Sequence, residues 1–188
     1  HGNPHPVFVI GKDTRISGDM LEMAFSSGAM SIGATIISVG VIPTPAVAYL
    51  TKYYNSDIGI VISASHNTYE YNGIKFFNSE GYKLDDHIEE KIEELIINYE
   101  PVEEEIIGKN VCKVINASDS AEKLYKQYLE NTIDIGLNGL KIVLDTANGA
   151  AYRIASKVFK DLYADVITIG NMPDGININD DCGSTHTE

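Results

Sequence analysis

The sequence has no cluster of lysine or arginine residues, and its net charge is −13. A general nucleic-acid binder needs a basic surface, so this class of protein is disfavoured. No apolar run approaches the roughly 20 residues of a membrane span, and no signal peptide is visible. We therefore expect neither a nucleic-acid nor a membrane partner. Any anionic ligand must be held by a local pocket, against the overall field of the chain.

Cysteine is also scarce. Cys112 and Cys182 lie far apart in the sequence without the C-x-x-C spacing of zinc sites, so structural zinc and a disulfide framework are both disfavoured. Reduced thiols in the cytosol are the simplest interpretation, and they predict a cytoplasmic protein. The chain begins with His1 rather than methionine, so we expect that residues precede it in the natural protein.

The hydrophobic content of 44% over 188 residues is enough for a folded core, in one domain or two small ones. Strand-like apolar runs alternate with segments of helical spacing, which is typical of α/β proteins. The strand at 58–62 is predicted to be buried on both faces. The pattern predicts strands at 7–10, 35–39, 58–62, 74–77 and 82–84, and helices at about 18–30, 44–54, 85–99 and 118–131.

Residues 100–117 are acidic and irregular, and they are interpreted as a connector. The run of glutamates in "PVEEEIIGKN" favours a solvated surface over a metal site. After it, "KIVLDTANGAAYRIASKVF" predicts a strand, a polar turn and a helix, and "ADVITIG" predicts a further strand. The fold class predicted is α/β, with two consecutive three-layer α/β/α units that have mixed sheets, the second of them incomplete.

Three polar segments follow predicted strands, which is where α/β domains bind ligands. They are "GKDTRISG" from Gly11, "SASHN" from Ser63 and "DTANGAAYR" from Asp145. The only two arginines, Arg15 and Arg153, lie in two of these segments. Arginine suits bidentate phosphate binding, but surface salt bridges would explain both residues equally well.

The segment "ISASHNTYEYNGIKFF" leaves a buried strand, presents a serine beside a histidine, and returns with a lysine. The G-x-S-x-G pattern of a hydrolase is absent, so spacing alone leaves Ser65 as either a turn residue or a nucleophile. His66 is favoured as a hydrogen-bonded loop residue, since adjacent side chains usually diverge. By itself Lys75 would be interpreted as a solvated lysine at a strand end.

"SASHNTYEYNGIKFF" resembles the phosphoserine loop of the α-D-phosphohexomutases, and "GKDTRISG" resembles that family's G-R-D-T-R segment. "GVIPTPAVAYL" is similar to its next helix start. "LDTANGAAYRIA" and "PDGININDDCGSTH" resemble the phosphoglucosamine mutase branch. Thr68 stands where the family usually has proline, which removes a constraint on Asn67.

The resemblance implies that Ser65 carries a phosphoryl group, gives it to a hexosamine monophosphate and takes back the other phosphate of the bisphosphate intermediate. It further implies that Lys75 is a general acid/base and that Arg15, His66 and Asn67 contact the phosphate or shape the loop. Mg²⁺ would bind the phosphate on Ser65 and aspartates that are not in this chain. The implied pathway is the synthesis of UDP-N-acetylglucosamine and cell-wall precursors.

The family's N-terminal segment, its D-G-D-x-D-R metal loop and the loops of its third and fourth domains have no match in the sequence. The resemblance therefore implies a piece of a longer enzyme. Residues 1–107 would be most of domain 1, and residues 108–188 a linker and the start of domain 2. Two alternatives stay open: a phosphomannomutase or phosphoglucomutase, and a sugar-phosphate binding module without turnover. The remaining domains of the parent chain are the other expected partners.

Overall fold

The fold was analysed in a computed structural model, which describes residues 3, 5–99 and 111–186. Strands and helices alternate along the chain, as the periodicity predicts. The strands are β1 (Val7–Lys12), β2 (Thr35–Val41), β3 (Ile58–Ile62), β4 (Ile74–Asn78), β5 (Val114–Asn116), β6 (Lys141–Asp145) and β7 (Asp165–Ile169). The helices are α1 (Gly18–Ser31), α2 (Thr44–Tyr53), α3 (Asp86–Ile97), α4 (Ser118–Glu130) and α5 (Ile154–Asp161).

The main sheet has five strands in the order β4-β3-β1-β2-β5. All neighbours are parallel except β4, which runs antiparallel to β3 because a single loop joins these two strands. The sheet is thus mixed, and the predicted α/β class is confirmed. Strand β5 was missed, since residues 114–116 had been interpreted as connector.

Core residues cover both faces of the main sheet. On one face, Val9 and Val61 pack with apolar residues of α2, α4 and α5. On the other face, Ile10 and Ile60 pack with residues of α1. Neighbouring residues of one strand point to opposite faces, so β3 is buried on both sides, as its apolar sequence predicts. This burial fixes the point at which the chain leaves β3.

The second sheet pairs β6 and β7 in parallel, and α5 packs against β7. The two sheets share a core through α4, which contacts β2, α2 and α5. Tyr125 of α4 and Val158 of α5 belong to the same buried cluster as Val61 of β3. The chain after residue 110 is therefore packed onto the first sheet, through both β5 and α4.

Helix α3 is shorter than predicted and ends at Ile97. Several of its apolar residues are exposed to solvent, among them Leu95 at 72% and Ile96 at 70%. Ile92 lines an apolar groove together with Phe25 of α1. The predicted boundary at residue 107 and the acidic run before it lie outside the described residues, so the division into domains stays a prediction.

Candidate functional site

The loops after β1 and β3 lie side by side, because these strands are parallel neighbours and their carboxyl ends share one edge of the sheet. The backbone N–H of Asp13 donates to the carbonyl of Ile62, at 3.1 Å. We call residues 63–73, which join β3 to β4, the serine loop. The N–H of Ser63 donates to the carbonyl of Gly73 at 2.9 Å and closes the loop at its base.

Ser65 lies three residues beyond the end of β3 and is exposed. This location at the exit of a buried strand was predicted from the sequence and is confirmed. Its φ angle is +57°, in the left-handed region that costs a non-glycine residue about 1–2 kcal/mol. The N–H of Ser65 donates to Oγ of Ser63 at 3.1 Å. The serine is thus held in a strained backbone conformation at the surface.

The guanidinium of Arg15 forms hydrogen bonds with backbone carbonyls of the serine loop. Nη1 donates to the carbonyls of Thr68 and Tyr71, and Nη2 donates to those of Ser65 and Asn67 at 3.1 and 2.8 Å. A hydrogen bond to a charged group is worth about 1.5–3 kcal/mol. The bond from Arg15 to Ser65 is therefore large enough to offset the strain at that residue.

Arg15 is only 3% exposed, and its charge is compensated by Asp13, which is 5% exposed. Nε of Arg15 donates to Oδ2 of Asp13 at 2.9 Å, and its backbone N–H donates to Oδ1 at 3.1 Å. With the four bonds to loop carbonyls, all five guanidinium N–H groups are engaged. In this geometry Arg15 contacts the backbone of the loop.

A second side chain holds the same loop from the other half of the molecule. Nδ2 of Asn179 donates to the carbonyls of Ser65 and Asn67, at 3.0 and 2.9 Å. Sequence reasoning missed Asn179. Asn179 lies in the motif "PDGININDDCGSTH", which resembles one branch of the family. Nothing in this motif indicated a contact with the serine loop, more than 100 residues away.

Other contacts join the same two regions. Oγ1 of Thr14 donates to the carbonyl of Asn148 at 2.5 Å. The N–H of Ile16 donates to the carbonyl of Gly175 at 2.8 Å. Gly175 has a φ of +98°, and a Cβ there would lie 3.2 Å from Cβ of Ile16, so glycine permits the close approach. The three polar segments that follow β1, β3 and β6 therefore lie together.

The loop is also anchored to helix α1. Nδ2 of Asn72 donates to Oγ of Ser17 at 2.9 Å, and Oδ1 of Asn72 accepts from the N–H of Gly73 at 2.8 Å. Ser17 is the N-cap residue of α1, but its side chain makes no capping hydrogen bond. Its hydroxyl accepts the bond from Asn72 instead.

The other predicted site residues occupy different positions. His66 and Asn67 are exposed on the serine loop, and only the carbonyl of Asn67 is engaged, by Arg15 and Asn179. Lys75 is exposed on the edge strand β4, opposite Val61. Among the described residues, no hydrogen bond or ion pair joins Lys75 to the serine loop. Arg153 forms a surface ion pair with Glu122, at 3.5 Å.

Charge at the site is locally balanced. Lys12 is paired with Asp19 and Glu22. Burial acts to lower the pKa of Lys12, but these two hydrogen bonds outweigh it and leave the pKa raised. The pKa of Glu70, on the serine loop, is lowered by its own backbone N–H, by the hydroxyl of Thr68 and by the charge of Arg15. Lys12 and Arg15, the two cations of the "GKDTR" segment, are thus both paired with carboxylates.

Within residues 3, 5–99 and 111–186, no group of three or more His, Cys, Asp or Glu residues is arranged to hold a metal ion. Asp174 lies in the "PDGININDDCGSTH" segment, which is not the family's metal loop. Its Oδ1 accepts from the N–H groups of Ile176 and Asn177, both at 2.9 Å, and so stabilises a turn. In the same part of the chain, no helix has the length and apolar character needed to cross a membrane.

The sequence profile described as "Phosphoglucomutase/phosphomannomutase, alpha/beta/alpha domain I" matches residues 2–103. This match spans more than half of the chain, which therefore belongs to the phosphoglucomutase/phosphomannomutase family. The resemblance to the phosphohexomutases drawn from the motifs is confirmed. A family protein from Burkholderia thailandensis has a similar structure, with a TM-score of 0.71 at 25% identity, over 90% of this chain and 37% of its own.

Within the family, the chain is similar to phosphoglucosamine mutases. It is 57% identical to the enzyme of Clostridioides difficile (strain 630) over 180 residues, or 96% of this chain. It is 54% identical to that of Alkaliphilus oremlandii (strain OhILAs) over 186 residues, or 99% of this chain. The chain spans 40% and 41% of the length of these two relatives.

Proposed function

We propose that the complete protein is a phosphoglucosamine mutase, which interconverts glucosamine 6-phosphate and glucosamine 1-phosphate through a phosphoserine at Ser65. The observation that carries the proposal is the exposed serine on a strained loop, held by buried Arg15 at the carboxyl end of β3. The identity of 57% to the phosphoglucosamine mutase of Clostridioides difficile supports the choice of sugar.

In the proposed reaction, Oγ of phosphorylated Ser65 is the leaving group. The free hydroxyl of the sugar monophosphate attacks the phosphorus in line and forms a hexosamine bisphosphate, and its proton is transferred away. After the sugar reorients, Oγ attacks the phosphorus of the other phosphate, which restores the phosphoserine and releases the isomeric product. Such transfers depend on positioning and on charge neutralisation around the transferring oxygens. A rigid serine loop supplies the positioning.

Lys75 would act as the general acid/base that takes or returns the proton of the sugar hydroxyl. Its exposure on edge strand β4, next to the closed base of the serine loop, leaves it accessible to a substrate. His66 and Asn67 would contact the phosphate or shape the loop, since both are exposed beside Ser65. Arg15 would serve the same phosphate indirectly, through the carbonyls that it holds.

The family's metal ion is proposed to be Mg²⁺. When bound, it would neutralise negative charge on the phosphoryl oxygens. The described residues do not form a complete metal site by themselves. Ser65, through its phosphate, is the ligand that this chain would supply, and aspartates elsewhere in the complete protein would supply the rest.

We also propose that residues 1–107 form most of the first domain of the enzyme, and that residues 108–188 form a linker and the start of the second. The family profile ends at residue 103, which supports a boundary in this region. The other domains of the complete protein would then be partners of this chain. The scarcity of cysteine supports a location in the cytosol, with UDP-N-acetylglucosamine and cell-wall precursor synthesis as the pathway.

The decisive experiment is a mutase assay of the complete protein with glucosamine 6-phosphate, mannose 6-phosphate and glucose 6-phosphate. We expect the highest kcat/KM with glucosamine 6-phosphate. A preference for either other sugar would identify the alternative, a phosphomannomutase or phosphoglucomutase. Mass spectrometry of the Ser65 peptide tests the mechanism, because an unphosphorylated serine and no turnover would favour a non-catalytic sugar-phosphate binding module.

A further inference from the structure

We propose that Asn179 is a positioning residue for Ser65: its side-chain amide fixes the backbone of the serine loop, so that the second half of the chain takes part in orienting the nucleophile. The inference rests on the proposed function, and it adds a residue to the machinery of the same site.

The two carbonyls that Asn179 reaches are the same two that Nη2 of Arg15 reaches. Ser65 and Asn67 each accept one bond from Arg15 and one from Asn179, and all four donor–acceptor distances lie between 2.8 and 3.1 Å. A carbonyl oxygen has two lone pairs, so these bonds saturate both acceptors. His66, which lies between the two held residues, is thereby fixed together with Ser65.

The carbonyl of Ser65 belongs to the residue with the strained φ of +57°. Such a conformation persists only where the surroundings determine it. Arg15 and Asn179 approach this carbonyl from different elements, one from the loop after β1 and one from the segment after β7. If one of them is lost, the carbonyl of Ser65 keeps a single donor, and this residue can relax toward ordinary backbone angles.

Asn179 is itself held in place. Its φ is +56°, which asparagine tolerates better than most residues. Its N–H donates to the carbonyl of Ala147 at 3.0 Å. The preceding residue, Ile178, is 3% exposed and anchors the segment in the core. The amide of Asn179 is therefore directed at the serine loop by a rigid support.

Asn148, in the turn after β6, supports this segment further. Its Nδ2 donates to the carbonyl of Asn177 at 3.2 Å, and its Oδ1 accepts from the N–H of Met172 at 3.0 Å. The carbonyl of Asn148 accepts from Thr14, which lies between Asp13 and Arg15 in the sequence. The segment that carries Asn179 is consequently tied to the same β1 loop that carries Arg15.

The contact spans 114 residues of sequence, from Ser65 to Asn179. It lies on the backbone side of the serine, while Ser65 itself stays exposed. Asn179 thus reaches the serine only through a backbone carbonyl. This geometry defines a positioning role, in which the side chain sets the direction of Oγ without contact to the transferring phosphate.

The test uses Asn179→Gly and Asn179→Asp in the complete protein. Glycine removes the amide but accepts the positive φ, and aspartate keeps the shape but removes the N–H donors. Asn55→Gly is the matched control, because it makes the same substitution at a residue with nearly the same φ, +55°, in an exposed turn after α2. A loss caused only by the added backbone freedom of glycine would appear in this control as well.

The first readout is hydrogen–deuterium exchange of the serine loop, followed by mass spectrometry, and it does not depend on mutase activity. The N–H groups of Ser63, Ser65, Asn67 and Tyr71 are all hydrogen-bonded. We expect both Asn179 variants to exchange faster than the wild type in peptides covering residues 63–73, and Asn55→Gly to leave these peptides unchanged. Wild-type protection in both Asn179 variants would overturn the proposal.

The second readout is steady-state and single-turnover kinetics with glucosamine 6-phosphate. Since misplacement of a reacting group by about 1 Å can cost about 100-fold in rate, we expect kcat to fall about 10- to 100-fold while KM stays within about twofold. A loosened loop with a wild-type kcat would also overturn the proposal. If the wild-type protein has no mutase activity, the proposed function fails, and the exchange experiment still decides whether Asn179 holds the loop.

Discussion

At the scale of single residues, the site depends on how buried polar groups are compensated. Arg15 is enclosed beneath the serine loop, yet each of its N–H groups has an acceptor and its charge has a partner in Asp13. The desolvation cost of such a buried ion pair is largely offset when every N–H group and carboxylate oxygen has a hydrogen-bond partner. Removal of one residue of the pair leaves the other as an uncompensated buried charge. The strained Ser65 above it is the residue that this arrangement supports.

Ser65→Ala in the complete protein is expected to abolish mutase turnover, because no acceptor for the phosphoryl group remains. His66 is adjacent but cannot place a ring nitrogen where Oγ of Ser65 stood. The measurements are the mutase rate and the intact mass, which should lack the phosphate. Ser79→Ala is the matched control, since Ser79 is an exposed serine in the turn after β4. Turnover by Ser65→Ala above the background rate would contradict the phosphoserine mechanism.

Lys75→Ala is expected to lower kcat by about 10²- to 10⁴-fold, the usual contribution of a general acid/base group. Lys75→Arg should restore little of the rate, because arginine keeps the charge but does not give up a proton. Lys141→Ala serves as the control, since Lys141 is also an exposed strand lysine. A nearly wild-type rate in Lys75→Arg would show that the reaction needs only a fixed positive charge at this position. A fully active Lys75→Ala protein would show that Lys75 is a solvated lysine without a role in the reaction.

At the scale of secondary structure, the site depends on how closely α2 packs on β3. Gly59 of β3 lies under α2, where an added Cβ would be 2.1 Å from Oγ1 of Thr51. Thr51 is fully buried, and its hydroxyl donates to the carbonyl of Val47 at 2.7 Å. The close contact of helix and strand is thus achieved by the absence of a side chain. It fixes the strand whose end carries the serine loop.

Gly59→Ala is therefore expected to destabilise the fold by about 1–3 kcal/mol, the usual cost of overpacking a core. The matched control is Gly28→Ala in α1, where a Cβ would meet no atom within 4 Å. There alanine should stabilise the helix by up to about 1 kcal/mol. Thermal unfolding of both variants of the complete protein is the measurement. The explanation fails if Gly59→Ala unfolds at or above the wild-type temperature.

At the scale of the whole molecule, the two sheets act as one support for the serine loop. Helix α4 joins their cores, and Asn179 and Thr14 form hydrogen bonds between the two halves next to Ser65. The chain nevertheless spans only 40% of the length of the Clostridioides difficile relative. The described residues provide the proposed nucleophile, Ser65, and its support, and they do not form a complete metal site.

The 188-residue chain alone is therefore expected to show no multiple-turnover mutase activity, since interactions realised only in the transition state would be missing. The assay compares the purified chain with the complete protein, under the same conditions and with glucosamine 6-phosphate. A Ser65→Ala chain, purified in parallel, controls for traces of host enzyme. Sustained turnover by the wild-type chain above this control would contradict the expectation.

Much of the fold could be predicted because local signals were strong. The bounds of β3 were predicted correctly from an apolar run, and the exit of the chain at Ser63 from the polar residues that follow. Strand β5 was not predicted, because it has only three residues and follows an irregular connector. Three residues are too few to show the alternation of apolar and polar residues that is typical of a strand. Serine is a typical N-cap residue, but the hydroxyl of Ser17, at the start of α1, accepts a bond from Asn72, a partner distant in sequence, and makes no capping bond.

The sequence by itself determined the α/β class, the family and the serine as candidate nucleophile, because these depend on hydrophobic periodicity and on motifs of adjacent residues. Only the tertiary structure decided what surrounds the serine. Arg15 could have contacted a phosphate or the loop, and burial directs its donors to loop carbonyls. Asn179 joined the site because chain folding brought together residues 114 positions apart. Contacts to backbone carbonyls leave no motif of their own, since every residue offers the same acceptor.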